Sequence, residues 1–260
     1  MKNNFFLIII IVIQFLWINQ SYAKQVEFKA KDIEIIKDKN LTIANDASVI
    51  IVEDSISIKG KKIEYYKDKQ LLLVNDGIVL VEEKNLKIES DKISYDIDKS
   101  TLDLEGDIKI IDQNNNLAIY SNKINYSNYD ETIKSENNSK ITDNLGNVYQ
   151  VENFEYSLDK KIIKLKNVKV LDYDDNNFSL DLAYLDLQNK ELIAKDVNFN
   201  FKTPDGTENE PRLKGLSLVS NKNSTIVKKG TFTLCKKREN CPPWEMSADE
   251  IKHDKNKKTI

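Results

Sequence analysis

Residue types that break chains or do chemistry are scarce here. The 260 residues contain four prolines, seven glycines, two cysteines and a single histidine, His253. One imidazole and two thiols fall short of the four ligands a structural zinc site wants. No nucleophile elbow, glycine-rich phosphate loop or HExxH stretch occurs, so the chain is expected to have no catalytic residues, no metal and no cofactor. A basic surplus is missing too. Lys and Arg number 39 against 42 Asp and Glu, a formal charge of -3. Counterion release at a phosphate backbone needs the opposite balance, so nucleic acid is not expected as a partner. Acidic residues are the one catalytic type in supply, which leaves a polysaccharide-acting β-helix enzyme with paired carboxylates as the enzymatic alternative. Most Asp and Glu, however, occupy alternating polar positions or turns, where solvation accounts for them.

Long apolar runs are limited to the start. Lys2 precedes an apolar stretch from Phe5 to Ile18, then a polar break and Ser21-Tyr22-Ala23. That is the pattern of a cleaved signal peptide, residues 1–23, with cleavage after Ala23. The run is short for a hydrocarbon core of about 30 Å, and an uncleaved anchor would leave the rest on the same side of the membrane. Losing Lys2 leaves 38 basic residues against 42 acidic, a charge of -4.

What the chain has in abundance is alternation. Leu86, Ile88, Ser90, Ile93 and Tyr95 are matched 30 residues earlier by Ile56, Ile58, Gly60, Ile63 and Tyr65, and 31 later by Leu117, Ile119, Ser121, Ile124 and Tyr126. Further copies run through Val26, Phe28, Ala30, Ile33 and Ile35; Tyr149, Val151, Phe154 and Tyr156; Phe178, Leu180, Leu182, Leu185 and Leu187; and Trp244, Met246, Ala248, Ile251 and His253. A weaker copy holds Leu213, Leu216 and Leu218. Within each unit apolar residues alternate, skip one residue, and resume in the opposite phase; in the reference copy the slip falls at Asp91-Lys92. Neighbouring side chains on a strand point to opposite faces, so a slip marks a bulge or corner. The residue before it is often small, as where a strand bends or a neighbour comes close.

A second apolar run completes each unit: Leu71 to Val81, Leu102 to Ile111, Ile162 to Leu171 and Leu192 to Phe201. Turn formers separate the runs at Asn75-Asp76-Gly77, Asp112 to Asn116, Leu145 to Asn147 and Asp172 to Asn177. With no sustained helical periodicity after the leader, these features predict an all-β chain. It would be a β-jellyroll of stacked antiparallel strand repeats, some fifteen strands in all, open at both ends. His253 takes the place of Tyr65 and Tyr95 and reads as a structural strand residue. Equal spacing of Tyr65, Tyr95, Tyr126 and Tyr156 makes an aromatic stripe, which is either a filled core or, with space left beside it, an apolar groove. Cys235 and Cys241 are expected in disulfides in an oxidising compartment, either with each other or with cysteines outside this chain.

The export leader, the unit of Leu-x-Ile-x-Ser-Asp-Lys-Ile-x-Tyr type and the closing Cys-Pro-Pro-Trp-Glu-Met-Ser-Ala-Asp-Glu-Ile-Lys-His-Asp together resemble the OstA-like domain of the lipopolysaccharide transport proteins. The cysteine-bearing junction is most similar to the periplasmic N-terminal part of LptD. This resemblance implies residues 24–234 as OstA-like repeats and 235–260 as a junction with a truncated last repeat leading to a missing C-terminal barrel. It implies a role in lipopolysaccharide transport and outer-membrane assembly, in the periplasm and associated with the outer membrane. The implied partners are lipopolysaccharide, an LptA-like protein by edge-strand pairing, and the barrel with its lipoprotein partner. Candidate lipid-lane residues are Phe28, Ile33, Ile35, Ile63, Tyr65, Ile93, Tyr95, Ile124, Tyr126, Phe154 and Tyr156. Cys235 or Cys241 would join the barrel. The alternatives are a soluble LptA-like periplasmic bridge, or a β-solenoid adhesin or scaffold in which the same residues fill a dry core.

Overall fold

The computed structural model describes residues 24–173, 175–201, 210–235 and 244–257. The leader, Cys241 and the last three residues lie outside them. Strands open with β1 (Val26–Lys29) and β2 (Asp32–Ile36), followed by β3 (Leu41–Ile51), β4 (Ile56–Tyr66), β5 (Leu71–Val81), β6 (Leu86–Asp96), β7 (Thr101–Asp112) and β8 (Leu117–Ser127). Four short strands come next: β9 (Thr132–Ser135), β10 (Ser139–Thr142), β11 (Val148–Val151) and β12 (Asn153–Ser157). The series ends with β13 (Ile162–Leu171), β14 (Asn177–Asp186), β15 (Glu191–Asn200), β16 (Arg212–Ser220), β17 (Ser224–Thr233) and β18 (Met246–Asp254). No α-helix occurs among the described residues, and the all-β expectation holds.

Every pairing is antiparallel, and the long strands β3 to β8 and β13 to β18 pair in sequence order. β1 and β2 pair with the two ends of β3, β9 and β10 with the two ends of β8, and β11 and β12 with the two ends of β13. Each of these pairs is one long strand cut at its middle, so the eighteen strands make fifteen rungs of a single ladder. A left-handed residue closes each early hairpin. Asn40, Ser55, Gln70, Asn85, Ser100, Asn116, Glu131, Gly146 and Lys161 all have positive φ, at intervals of 15 residues with one of 16. Such a residue after a type I turn lets a short loop reverse the chain. The 30-residue sequence unit is therefore two rungs, one up and one down.

The ladder is folded over along its midline. From Ile56 to Tyr65 a straight strand would run about 30 Å. Tyr65, Leu72 and Tyr95 are register neighbours, yet the Tyr95 hydroxyl donates to the carboxylate of Asp54, beside Ile56 at the opposite end of the rung. Only a bend in every rung brings those ends together. The bend is the phase slip. On β6, Ser90 and Ile93 are both buried while Asp91 and Lys92 are exposed. On β5, Val74 and Gly77 are inside and Asn75 and Asp76 outside, with Asp76 at φ 48°. Asp46, Asn167, Asp196 and Lys229 repeat that left-handed bulge in β3, β13, β15 and β17. The expected turn at Asn75-Asp76-Gly77 is thus corrected: it is the corner inside β5, because a bulge and a turn make the same demand for a left-handed residue.

Small side chains line the corner. Ala47, Gly60, Gly77 and Ser90 are successive register partners, and Gly230 faces Ala248. A Cβ on Gly60 would lie 2.3 Å from Val74 Cγ1, and one on Gly77 would lie 2.6 Å from Ile93 Cδ1. The branched side chain just past each corner lies across its neighbour, and only a small residue leaves it room. Between the half-sheets Val, Ile, Leu and Tyr form one buried cluster along the ladder.

Candidate functional site

Register aligns the inward side chains into rows. On one half-sheet Phe28, Val49, Ile58, Val79, Ile88, Ile110, Ile119 and Ile141 are consecutive partners. The row continues through Tyr149, Val170, Phe178, Phe199, Leu213, Phe232 and Met246, one residue on every rung. On the facing half-sheet a second row runs Ile35, Thr42, Tyr65, Leu72, Tyr95, Leu102, Tyr126, Ile133, Tyr156, Ile163, Leu185 and Leu192. It ends on polar positions, Ser220, Thr225 and His253. His253 is a half-buried strand residue, in register with the tyrosines, as its place in the repeat predicts.

The eleven lane candidates divide in two. Ile63, Ile93, Tyr95, Ile124, Tyr126, Phe154 and Tyr156 are buried in a packed middle. Phe28, Ile33, Ile35 and Tyr65 line an open pocket of about 450 Å³ at the first rungs, together with Val26, Thr42, Lys24, Lys67 and Gln70. Ile33 and Ile35 are 50% and 67% exposed because, among the described residues, β2 pairs only with β3. The Phe28 and Tyr65 rings meet at 5.8 Å across this mouth. Its wall is mainly apolar and it is broadly open to solvent. Towards the other end Phe178, Phe199 and Phe201 stack at 4.5 and 5.5 Å, and Met246 is 59% exposed.

Sequence reasoning finds the tyrosine stripe but not the groups its hydroxyls reach. Tyr156 donates to Asp112 Oδ2 at 2.6 Å and accepts from Asn115 Nδ2 at 2.8 Å. Tyr126 donates to Asn128 Oδ1 at 2.6 Å, and Asn128 Nδ2 donates to the Asp54 carbonyl at 3.2 Å. Asp54 also accepts from Tyr95, from Ser100 Oγ at 3.0 Å and from Lys24 Nζ at 2.8 Å. Lys24 Nζ donates in turn to the Ile97 carbonyl at 2.8 Å and to Ser100 Oγ. Lys84 Nζ meets Glu131 Oε1 at 2.6 Å. Burial, then the carboxylates of Asp54 and Asp112 respectively, pushes Tyr95 and Tyr156 well above the ordinary tyrosine range. Burial also raises Tyr126 and Tyr149. Nothing in the spacing signals Asp54 or Asp112, which read as ordinary turn acids.

The Cys235 thiol lies 3.9 Å from the Trp244 carbonyl and has no disulfide partner among the described residues; of its two expected pairings, the one with Cys241 falls outside them. Among the described residues no group of three or more His, Cys, Asp or Glu is placed to hold a metal ion.

Comparison with known proteins gives findings of unequal weight. None of the curated proteins matches. A solved structure, LptH of Pseudomonas aeruginosa, described as the LptA-homologous periplasmic component of the conserved lipopolysaccharide transport device, is 12% identical, with a TM-score of 0.24. That alignment covers 55% of this chain and 82% of that one. The profile of the family described as "Lipopolysaccharide-assembly, LptC-related" matches residues 5–174, well over half of the chain. With its repeated bent rungs, this chain belongs to the LptC-related lipopolysaccharide-assembly family.

Proposed function

We propose that the chain carries lipopolysaccharide through the periplasm by holding its acyl chains between the half-sheets, while the glycan and phosphates stay in water. The observation that carries this reading is the unbroken inner row from Phe28 to Met246, one apolar side chain on every rung, with an apolar mouth at its start. Each methylene taken from water contributes about 0.8 kcal/mol, so a bare lipid would cross an aqueous space only at great cost. Repetition matters as much as affinity: neighbouring rungs offer near-equal surroundings, and a chain can slide without falling into one deep site. The work is transport, not bond chemistry, in keeping with an assembly family.

Edge strands remain at both ends. Among the described residues β2 pairs only with β3 and β18 only with β17, which suits pairing with an LptA-like partner. A finer placement, next to an outer-membrane barrel and its lipoprotein partner as in LptD, rests on Cys235 and Cys241 and would need one of them to bond outside this chain. A second reading, a dry scaffold, draws on the packed middle, where Tyr95, Tyr126 and Tyr156 are fully buried.

A photo-crosslinking side chain at Phe28 or Phe199, in cells, separates these readings. Capture of lipopolysaccharide at both sites, and not at the outward Leu80, is expected. Silence at both inner sites while the crosslinker works elsewhere sinks the transport reading and leaves the scaffold.

A further inference from the structure

Because the rungs are bent, the two rows of hairpins form the lips of a slot whose closed side is the small-residue corner. Turns 52–55, 82–85 and 113–116 stand on one lip; turns 97–100 and 128–131 and the end of β12 stand on the other. The hydrogen bonds of the tyrosine stripe cross between them. Near the start, Asp54 on the first lip holds Tyr95, Ser100 and, through its carbonyl, Asn128 on the second, with Lys24 inserted between. In the middle Lys84 meets Glu131 at 2.6 Å. Further along, Asp112 and Asn115 hold the Tyr156 hydroxyl at 2.6 and 2.8 Å. The Tyr95–Asp54, Lys84–Glu131 and Tyr156–Asp112 contacts bridge 41, 47 and 44 residues of sequence, three rungs apart along the chain but opposed across the slot.

We propose that these three polar clasps are a lateral gate: they hold the slot shut over the middle of the ladder and must part for an acyl chain to pass with its headgroup outside. The inference rests on the transport reading above and adds the step that reading lacks. A lipid threaded from the mouth carries a polar headgroup that has to project through the slot, and each clasp lies across that path. The lips are also the weaker side. Opposite them most rungs carry their backbone through the corner, paired on both sides of the bulge, whereas only side chains join the lips, and of these Lys84 and Glu131 are 27% and 33% exposed. The corner residues Ala47, Gly60, Gly77 and Ser90 are small, and left-handed bulges at Asp46 and Asp76 set the bends of β3 and β5 at this line, the place where a change in the angle between the half-sheets would fall. Opening moves side chains already in place onto the lipid, so a packed middle and a lipid track are two positions of one hinge.

The test locks one clasp. In a full chain with Cys235→Ser and Cys241→Ser, Lys84→Cys and Glu131→Cys are joined by a short reducible bis-thiol linker. Lipopolysaccharide capture is then read from photo-crosslinkers at Phe28, before the clasp, and at Leu192, beyond it. The linked chain is expected to capture at Phe28 as the unlinked one does, and to lose at least about ten-fold at Leu192, with recovery on reduction. Equal capture at Leu192 in linked and unlinked chains overturns the gate while leaving the transport reading in place. No capture at either site in the unlinked chain overturns both. A second variant works without a linker: Lys84→Met should raise the initial rate of capture at Leu192 severalfold, and an unchanged or slower rate counts against the gate.

Discussion

Replacing Tyr156 with Phe tests the clasp network by removing one oxygen. The ring is fully buried, and its hydroxyl donates to Asp112 Oδ2 at 2.6 Å and accepts from Asn115 Nδ2 at 2.8 Å. Phe fills the same space, so no cavity contributes. Asp112 keeps the Asn115 backbone N–H at 3.0 Å and Asn115 Nδ2 at 2.8 Å, so its carboxylate is weakened rather than abandoned. The loss is then that of one hydrogen bond to a charged group, about 2 kcal/mol. For a chain of this size that corresponds to a fall in Tm of roughly 4–8 °C. Tyr126→Phe is the internal standard: its hydroxyl bonds only to the neutral Asn128 amide at 2.6 Å, and about 1 kcal/mol is expected. Urea unfolding followed by far-ultraviolet circular dichroism reads both, with midpoints shifting at constant slope. A double-mutant cycle with Asp112→Asn should return a coupling of about 1 kcal/mol or more. If Tyr156→Phe costs less than about 0.5 kcal/mol, the range of an inert surface change, or no more than Tyr126→Phe, then Asp112 is not held as described.

Two further outcomes follow from the same geometry. Gly60→Val places its Cβ 2.3 Å from Val74 Cγ1 and should destabilise by about 1–3 kcal/mol through overpacking; Gly60→Val with Val74→Ala should recover much of that, and no recovery would locate the strain elsewhere. Alkaline titration probes the stripe: Tyr95, Tyr126, Tyr149 and Tyr156 are raised above the unfolded value of about 10, chiefly by burial, so the fold favours their neutral form. That contribution is complete below pH about 10 and is lost as pH climbs beyond it, so tyrosinate absorbance from these side chains should rise only as the β signal collapses. Their ionisation in a chain that keeps its β signal would contradict the burial.

The repeat and its slip were legible because period two and its reversal are written directly in side-chain polarity: Ile88, Ser90, Ile93 and Tyr95 all point inward around Asp91-Lys92. Corners in the alternate rungs were not. Asn75-Asp76-Gly77 carries turn chemistry, and the left-handed Asp76 it supplies is real, but pairing of β5 on both sides makes it a bulge. The tyrosine stripe was visible as spacing, while its partners were hidden, since Asp54 and Tyr95 meet only after every rung bends. Nor could alternation tell an open edge from a filled interior: Ile33 and Ile63 hold equivalent places in the repeat, yet one is half exposed and the other fully buried.

The most direct test of lipid passage between the half-sheets is a capture scan along the tyrosine row. A genetically encoded diazirine side chain, near in size to leucine, would replace Leu72, Leu102, Leu185 and Leu192 in turn, with the outward Leu80 and Ile193 as controls. Capture of lipopolysaccharide at all four inner positions, with the controls silent, is the predicted result. Capture on both faces alike, or on neither while lipopolysaccharide still reaches the outer membrane through this chain, would contradict it.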